Sequence, residues 1–284
     1  MLKPDDISCG DCIALLESAG DLRARLIFAD PPFNIGYEYD SYHDHRDYDE
    51  YVRWTERWMS ACKSVLAEDG SFYVAIGDDY AAEVRLTGRK LGLHLRNWIV
   101  WHYTFGQSTR RKFARAHTHI FYFVADPRNF VFNDDAVRVP SARQLVYNDK
   151  RAHPKGRLPD DVWRYSRVCG TFKERVGWHT CQMPEKLLAR IIKTSSHPDD
   201  LVMDPFAGSG TTLVVAAVLK RHYLGIDISA NYVELARQRI AQAQAEGPTD
   251  INERESALIL QSSPSTGKNA PAPLTQSTFD VKVR

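Results

Sequence analysis

The chain has 284 residues, is 43% hydrophobic and 26% charged, and carries a net charge of +1; this is the balance of a globular protein with one large α/β domain or two smaller ones. No run approaches the roughly 18 apolar residues of a membrane helix, and Met1-Leu2-Lys3-Pro4-Asp5-Asp6 lacks the apolar core of a secretory signal, so a cytoplasmic location without a membrane partner is expected. Five scattered cysteines (Cys9, Cys12, Cys62, Cys169 and Cys181) make a poor disulfide framework, and the Cys9/Cys12 pair has no second pair of comparable spacing, so no metal is expected.

Ile7 to Cys9 reads as a short strand ending at Gly10, with a helix opening after Asp11. Asp11 suits a helix N-cap and equally an acceptor for a ligand amine; the residues leave both readings open. Leu26 to Ala29 is an apolar strand that stops abruptly at Asp30-Pro31-Pro32-Phe33. The two prolines stiffen the corner and lack N–H groups, so the Asp30 carboxylate and the Pro31 carbonyl can face an amine while the Phe33 ring stacks on a planar partner. A plain rigid strand-to-loop corner is the competing reading.

Asn34 to Arg46 is a Tyr- and His-rich loop without periodicity, expected to be mobile and to face a ligand. From Tyr48, the positions Tyr51, Trp54, Trp58, Cys62 and Val65 recur at helical spacing, with the helix expected to stop near Gly70 and its aromatic stripe to face the core. Strands are expected over Ser71–Ile76, Asn97–Trp101 and Ile120–Val124, with a helix over Tyr80–Leu91. Alternating strands and helices point to a mostly parallel sheet covered on both faces.

Charge is unevenly spread. Gly106 to Arg175 holds fifteen Lys and Arg against seven Asp and Glu, a local excess of +8. With Arg110, Arg111, Lys112 and Arg115 at its head and Tyr147, Trp163, Tyr165, Phe172 and Trp178 interleaved, this is the footprint of a polyanion partner. A solvated charged face is the alternative.

The second anchor is Leu201-Val202-Met203-Asp204-Pro205-Phe206-Ala207-Gly208-Ser209-Gly210-Thr211-Thr212, a strand, glycine loop and helix start. A second strand, Tyr223 to Ile226, ends in Asp227, the position from which Rossmann-like units hold ribose hydroxyls. There is no Gly-Lys-Ser/Thr ending, and Leu213 stands where a dinucleotide fingerprint needs Gly. A ligand with a ribose and no diphosphate is expected.

Asp30-Pro31-Pro32-Phe33 resembles the catalytic motif of the S-adenosylmethionine-dependent DNA amino-methyltransferases, and Asp204 to Thr212 resembles their cofactor motif. Catalytic motif first, basic recognition region next and cofactor loop last is the permuted order of their β group, and the similarity runs from about Ile7 to Ala243. The resemblance implies a doubly wound α/β Rossmann-like methyltransferase sheet, with catalytic half 1–126, target-recognition region 127–175 and cofactor half 176–245. The remaining 246–284, rich in Ser, Thr, Pro and Gln with few large apolar residues, is expected from its composition to be a mostly disordered tail with a short docking segment at Ser256–Leu260. The resemblance also implies methyl transfer to adenine N6 in double-stranded DNA after base flipping, with cytosine N4 as the alternative and a non-catalytic DNA-binding protein as a remote one.

By the same resemblance Asp30, Pro31, Pro32 and Phe33 are catalytic and Asp30 also borders the cofactor. Asp11 meets the cofactor's adenine and Asp227 its ribose. Asp204, Pro205, Phe206, Ala207, Gly208, Ser209, Gly210 and Thr211 hold its methionine part. Gly177-Trp178-His179-Thr180-Cys181-Gln182-Met183-Pro184-Glu185-Lys186 is similar to the family's His-Pro-Thr-Gln-Lys-Pro segment but departs at Thr180, Cys181 and Met183. A homodimer and a cognate restriction enzyme are partners the resemblance leaves room for.

Overall fold

The computed structural model describes residues 2–103, 109–170 and 172–246. The tail from 247, with the docking patch expected at Ser256–Leu260, lies outside the described residues, as do Gly106–Ser108 at the head of the basic region. In chain order the elements are β1 (Asp6–Cys9), α1 (Cys12–Glu17), β2 (Ala24–Ala29), α2 (Tyr48–Ser64), β3 (Leu66–Ile76), α3 (Ala81–Lys90), β4 (His94–His102), β5 (His117–Val124), α4 (Ala142–Leu145), β6 (Val162–Arg164), α5 (Glu185–Ser195), β7 (Leu201–Asp204), α6 (Thr211–Val218), β8 (His222–Asp227) and α7 (Ala230–Glu246). No described helix is long and apolar enough to cross a membrane.

One eight-stranded sheet runs β1-β8-β7-β2-β3-β5-β4-β6. Only β5 opposes its neighbours β3 and β4; the remaining pairings are parallel. Side chains alternate between two cores. Leu26, Phe28, Tyr73 and Ala75 face α5, α6 and α7, whereas Ile27, Ala29, Phe72 and Val74 face α1, α2 and α3. Burial on both faces explains why these strands read as near-continuous apolar runs.

From β2 the chain winds toward β3 with its helices on one face, and from β7 it winds back toward β8 with its helices on the other. The direction therefore reverses between β2 and β7, and the crevice beyond the carboxyl ends of these strands is where ligands bind in open α/β sheets.

Three expectations need correction. Helix α2 stops at Ser64 rather than near Gly70, because the Val65 carbonyl accepts from Ala24 N–H at 2.8 Å and Leu66 pairs with Ala24. Sheet pairing overrides the helix-forming Ala67-Glu68, and the register shifts before Ser71 meets Leu26. The Asn34–Arg46 loop is tied internally by hydrogen bonds to Asp44 and Asn34 instead of lacking local structure, as described below. Trp163 and Tyr165 belong to the core instead of a binding face: Trp163 is buried in β6, and the Arg190 guanidinium of α5 lies 5.2 Å and 5.0 Å from the two ring centres.

Gly225 in β8 sets how closely α6 approaches the sheet, since a Cβ there would meet Leu213 at 2.4 Å and Ile7 at 3.1 Å. Gly225→Ala should lower stability by about 1–3 kcal/mol through overpacking, read as a lower urea midpoint with an unchanged slope. An unaltered midpoint would mean that the buried Leu213 can swing away freely.

Candidate active site

The sheet carries its acids to one edge. Asp11 follows β1, Asp227 ends β8, Asp204 ends β7 and Asp30 follows β2, so four carboxylates sit in sheet order along the carboxyl ends of neighbouring strands. They line one cavity of about 870 Å³ together with Pro31, Pro32, Phe33, Phe206 and Gly208, a volume suited to a ligand of several rings.

At the Asp-Pro-Pro-Phe corner the acceptors are already sorted. Tyr51 of α2 donates to the Pro32 carbonyl at 2.6 Å. Among the described residues no donor reaches the Asp30 carboxylate, whose pKa is pushed up to about 8 by burial first and by the Asp204 carboxylate second. Phe33 lies across Gly77, its ring 3.3 Å from where a glycine Cβ would stand.

The loop after this corner folds around one buried carboxylate. Asp44, only 2% exposed, accepts from the backbone N–H groups of Asn34 (2.7 Å), Ile35 (3.0 Å) and Tyr37 (3.1 Å). Asn34, in the left-handed region at φ 58°, donates to Tyr80 Oη at 2.7 Å and exchanges bonds with the backbone of Arg46. Tyr37, Tyr39 and Tyr42 are thereby held at the cavity wall. Asp44 carries no role in the sequence reading, and Tyr51 is read there only as part of the core-facing stripe; backbone N–H groups just after a proline corner, needing an acceptor, were the available signal for Asp44.

On the cofactor-motif side, Asp204 is 3% exposed and accepts from Phe206 N–H at 3.0 Å. Burial pushes its pKa up to about 7 against the opposing hydrogen bonds from Thr212 and Phe206. Asp227 accepts from Gly208 N–H (2.7 Å) and Ser229 N–H (2.9 Å) on different oxygens, which leaves each oxygen a further lone pair. Asp11 is an N-cap, with Oδ1 accepting from Ile13 N–H at 3.1 Å, and it also lines the cavity. Its two readings are compatible.

Gly208, at φ 47°, keeps the loop bare, because a Cβ would stand 2.8 Å from His179 Nε2. His179 is half-buried, its pKa is lowered to about 4 by burial and then by Arg239, and its Nδ1 has no partner. Arg239 of α7 ties the loop to α5, donating to the Ser209 carbonyl (2.9 Å), Thr211 Oγ1 (2.8 Å) and Glu185 Oε1 (2.8 Å). Gly210, at φ 72°, opens α6 and packs against Ala236, set back from the residues that line the cavity.

Of the basic residues, Arg110, Arg111 and Lys112 are exposed with no acidic partner among the described residues. Arg115 differs: it is paired with Asp78 (2.8 Å) and Asp79 (3.2 Å) at the cavity wall, which leaves it poorly placed for a phosphate. Asp78 also meets His117 Nε2 (3.2 Å) and His119 Nε2 (3.1 Å). These three are the only metal-ligand-like cluster among the described residues. The Trp98 indole N–H donates to His119 Nδ1 at 2.9 Å, so neutral His119 carries its proton on Nε2, the nitrogen a metal would need free.

Comparison with known proteins places this geometry. Residues 24–238 match the family model described as DNA methylase. Type II methyltransferase M.HpaI of Haemophilus parainfluenzae is 34% identical over 247 residues, covering 87% of this chain and 77% of the relative. DNA adenine methyltransferase YhdJ of Escherichia coli K12 is 34% identical over 239 residues, 81% of each. Among solved structures, the M1.HpyAVI–SAM complex superposes with a TM-score of 0.61 at 19% identity, covering 83% of this chain and 98% of that one. The cytosine-N4-specific PvuII DNA methyltransferase gives 0.62 at 18% identity, covering 87% and 93%. At these identities the two structures speak for the fold.

The raised Asp30 pKa has a stability consequence of definite sign. A carboxyl whose folded pKa exceeds its unfolded one contributes stability at low pH that is lost as pH climbs from the ordinary carboxylate range to about 8. Asp30→Asn, which keeps the shape of the protonated acid, should therefore melt above the parent in ligand-free protein at about pH 8, with the gap closing toward about pH 5. A gap independent of pH, or of opposite sign, would show that Asp30 is not held in its protonated form by the fold.

Proposed function

This chain belongs to the DNA methylase family, and from that premise we propose that it methylates adenine N6 in double-stranded DNA, using S-adenosylmethionine, after swinging the base out of the helix. Transfer to an exocyclic amine, adenine N6 or cytosine N4, is the activity of the family; the choice of adenine and the extrusion of the base are the present reading. The observation that carries it is the pair of acceptors, the Asp30 carboxylate and the Pro31 carbonyl, beside the Phe33 ring, while Tyr51 occupies the Pro32 carbonyl.

An exocyclic amine has two hydrogens and a lone pair delocalised into its ring. Two acceptors that hold both hydrogens orient the nitrogen toward an electrophile, so catalysis is mainly positioning and local electrostatics. S-adenosylmethionine supplies the electrophile, a methyl group on a sulfonium. Asp30 accepts best when ionised, and a cation beside it draws its raised pKa back down. Phe33 offsets part of the roughly few kcal/mol needed to unpair and unstack the base.

The residues fit this cofactor. Asp227 retains lone pairs for a ribose diol, Asp11 lines the cavity as an acceptor for an adenine amine, and the bare Gly208 backbone admits close approach. Adenine is favoured by the Asp at the head of the catalytic motif and by the likeness to YhdJ, whose name specifies adenine. Residues 127–175 are read as the target-recognition region, and the likeness to the type II methyltransferase M.HpaI extends the reading to a cognate restriction enzyme.

Sequencing of modified bases in DNA from expressing cells tests the reaction. Wild type should deposit N6-methyladenine in one sequence context, and Asp30→Ala should deposit none while binding S-adenosylmethionine within about threefold of wild type. N4-methylcytosine instead would overturn the choice of base, and turnover surviving within about tenfold, or about 1.4 kcal/mol, would remove Asp30 from the amine. If Arg110, Arg111 and Lys112 contact phosphates, log affinity should fall linearly with log salt, and replacing all three with Ala should flatten the slope by about 0.9 per lost contact. An unchanged slope would make this run a solvated surface.

A further inference from the structure

Phe113 is 99% exposed, the highest among the large apolar side chains of the described residues. It follows Arg110, Arg111 and Lys112 directly, and a bond from the Thr109 hydroxyl to the Lys112 carbonyl closes the turn before it. Strands β4 and β5 pair antiparallel up to His102 and His117, and Tyr103 N–H donates to the Ala116 carbonyl at 2.9 Å. The described residues 109–116 are therefore the returning arm of this connection, which rejoins the sheet beside the carboxyl end of β4, the edge that also carries Asp30.

The arm returns to the cavity two residues after Phe113. Arg115 lines the cavity, and its Nη1 lies 4.0 Å from the point where a Gly77 Cβ would stand, a point 3.3 Å from the Phe33 ring. Two residues span at most about 7 Å, so the Phe113 backbone stays that close to the backbone of Arg115, whose side chain reaches the pocket that would receive an extruded base. A lone aromatic ring held in water beside three unpaired cations is costly to display, and its surroundings are those of a duplex contact: cations for phosphates and a flat apolar ring for a base stack.

Resting on the reading of this site as one that extrudes its target base, we propose that Phe113 is the wedge that enters the duplex and fills the gap left in the stack. Apolar side chains inserted between base steps stabilise unstacked DNA, and a phenyl ring offers neighbouring bases the π-surface that the departed base provided. Phe113 is a positioning residue: it acts on the equilibrium between stacked and extruded base and touches neither the amine nor the cofactor.

The test uses the full-length protein and a duplex containing its mapped site. Phe113→Ala should lower kcat/KM on the paired duplex by about tenfold or more, while cofactor affinity and thermal stability stay unchanged, as suits a fully exposed side chain. With a pyrene nucleotide opposite the target, which fills the vacated space itself, the variant should recover to within about threefold of wild type. Phe113→Trp should retain activity on both substrates. With 2-aminopurine at the target, wild type should raise fluorescence strongly and Phe113→Ala weakly.

A variant equally impaired on paired and pyrene duplexes would overturn the wedge in favour of a general DNA contact, and so would a variant unimpaired on the paired duplex. Wild type that leaves 2-aminopurine dark would overturn base extrusion itself, and the wedge with it.

Discussion

The site depends on the parallel pairing of β2 with β7, where Leu26 meets Val202 and Ile27 meets Met203. These strands lie about 175 residues apart in the chain, and each runs into an aspartate followed by proline, Asp30 just after β2 and Asp204 at the end of β7. Because the winding direction reverses between them, no helix covers the crevice beyond their tips, and the corner carrying Asp30 faces the loop opened by Asp204. Had either strand paired elsewhere, one acid would lie in a wall and the other at a distance.

Proximity has an electrostatic cost that is itself functional. Asp30 and Asp204 each sit above the normal carboxylate range chiefly because burial disfavours their charge, and Asp204 adds to the shift of Asp30. A pocket whose floor holds two buried acids, of which Asp30 meets no donor among the described residues, attracts donors and cations. An amine that donates and a sulfonium that carries positive charge are the two components the proposed reaction brings together there. The neighbouring Asp227 is less free, since two backbone N–H groups hold it in place, and that makes it a fixed acceptor.

The basic region divides into a structural and an open part. Arg138 pairs with Asp134 and Asp135, Lys155 with Asp135, Arg157 with Asp160, and Arg151 with Asp149, while β6 from the same region completes the sheet beside β4. Arg110, Arg111 and Lys112 before β5 stay open, and so do Lys150, Arg164, Arg167, Lys173 and Arg175, all exposed with no acidic partner among the described residues. The net excess of +8 is a count over the whole region, but the pairing decides which of its cations are available to a polyanion.

From the sequence alone came the alternating α/β architecture, the two motif loops and their order, the acids Asp30, Asp204 and Asp227 at strand ends, and the basic run. Those are local matters: apolar runs of strand length stop where Pro, Gly and Asp make continuation unfavourable, and charge can be counted without coordinates. The tertiary structure alone decided that α2 ends at Ser64, because a distant strand claims Val65 and Leu66. It decided that Asp44 organises the loop over the pocket, that Tyr51 removes the Pro32 carbonyl, that Arg115 is bound to Asp78, and that Gly210 opens α6, set back from the residues that line the cavity. Each is a contact between segments far apart in the chain, or a competition between two partners for one polar group. The geometry that selects the winner exists only once the sheet has formed.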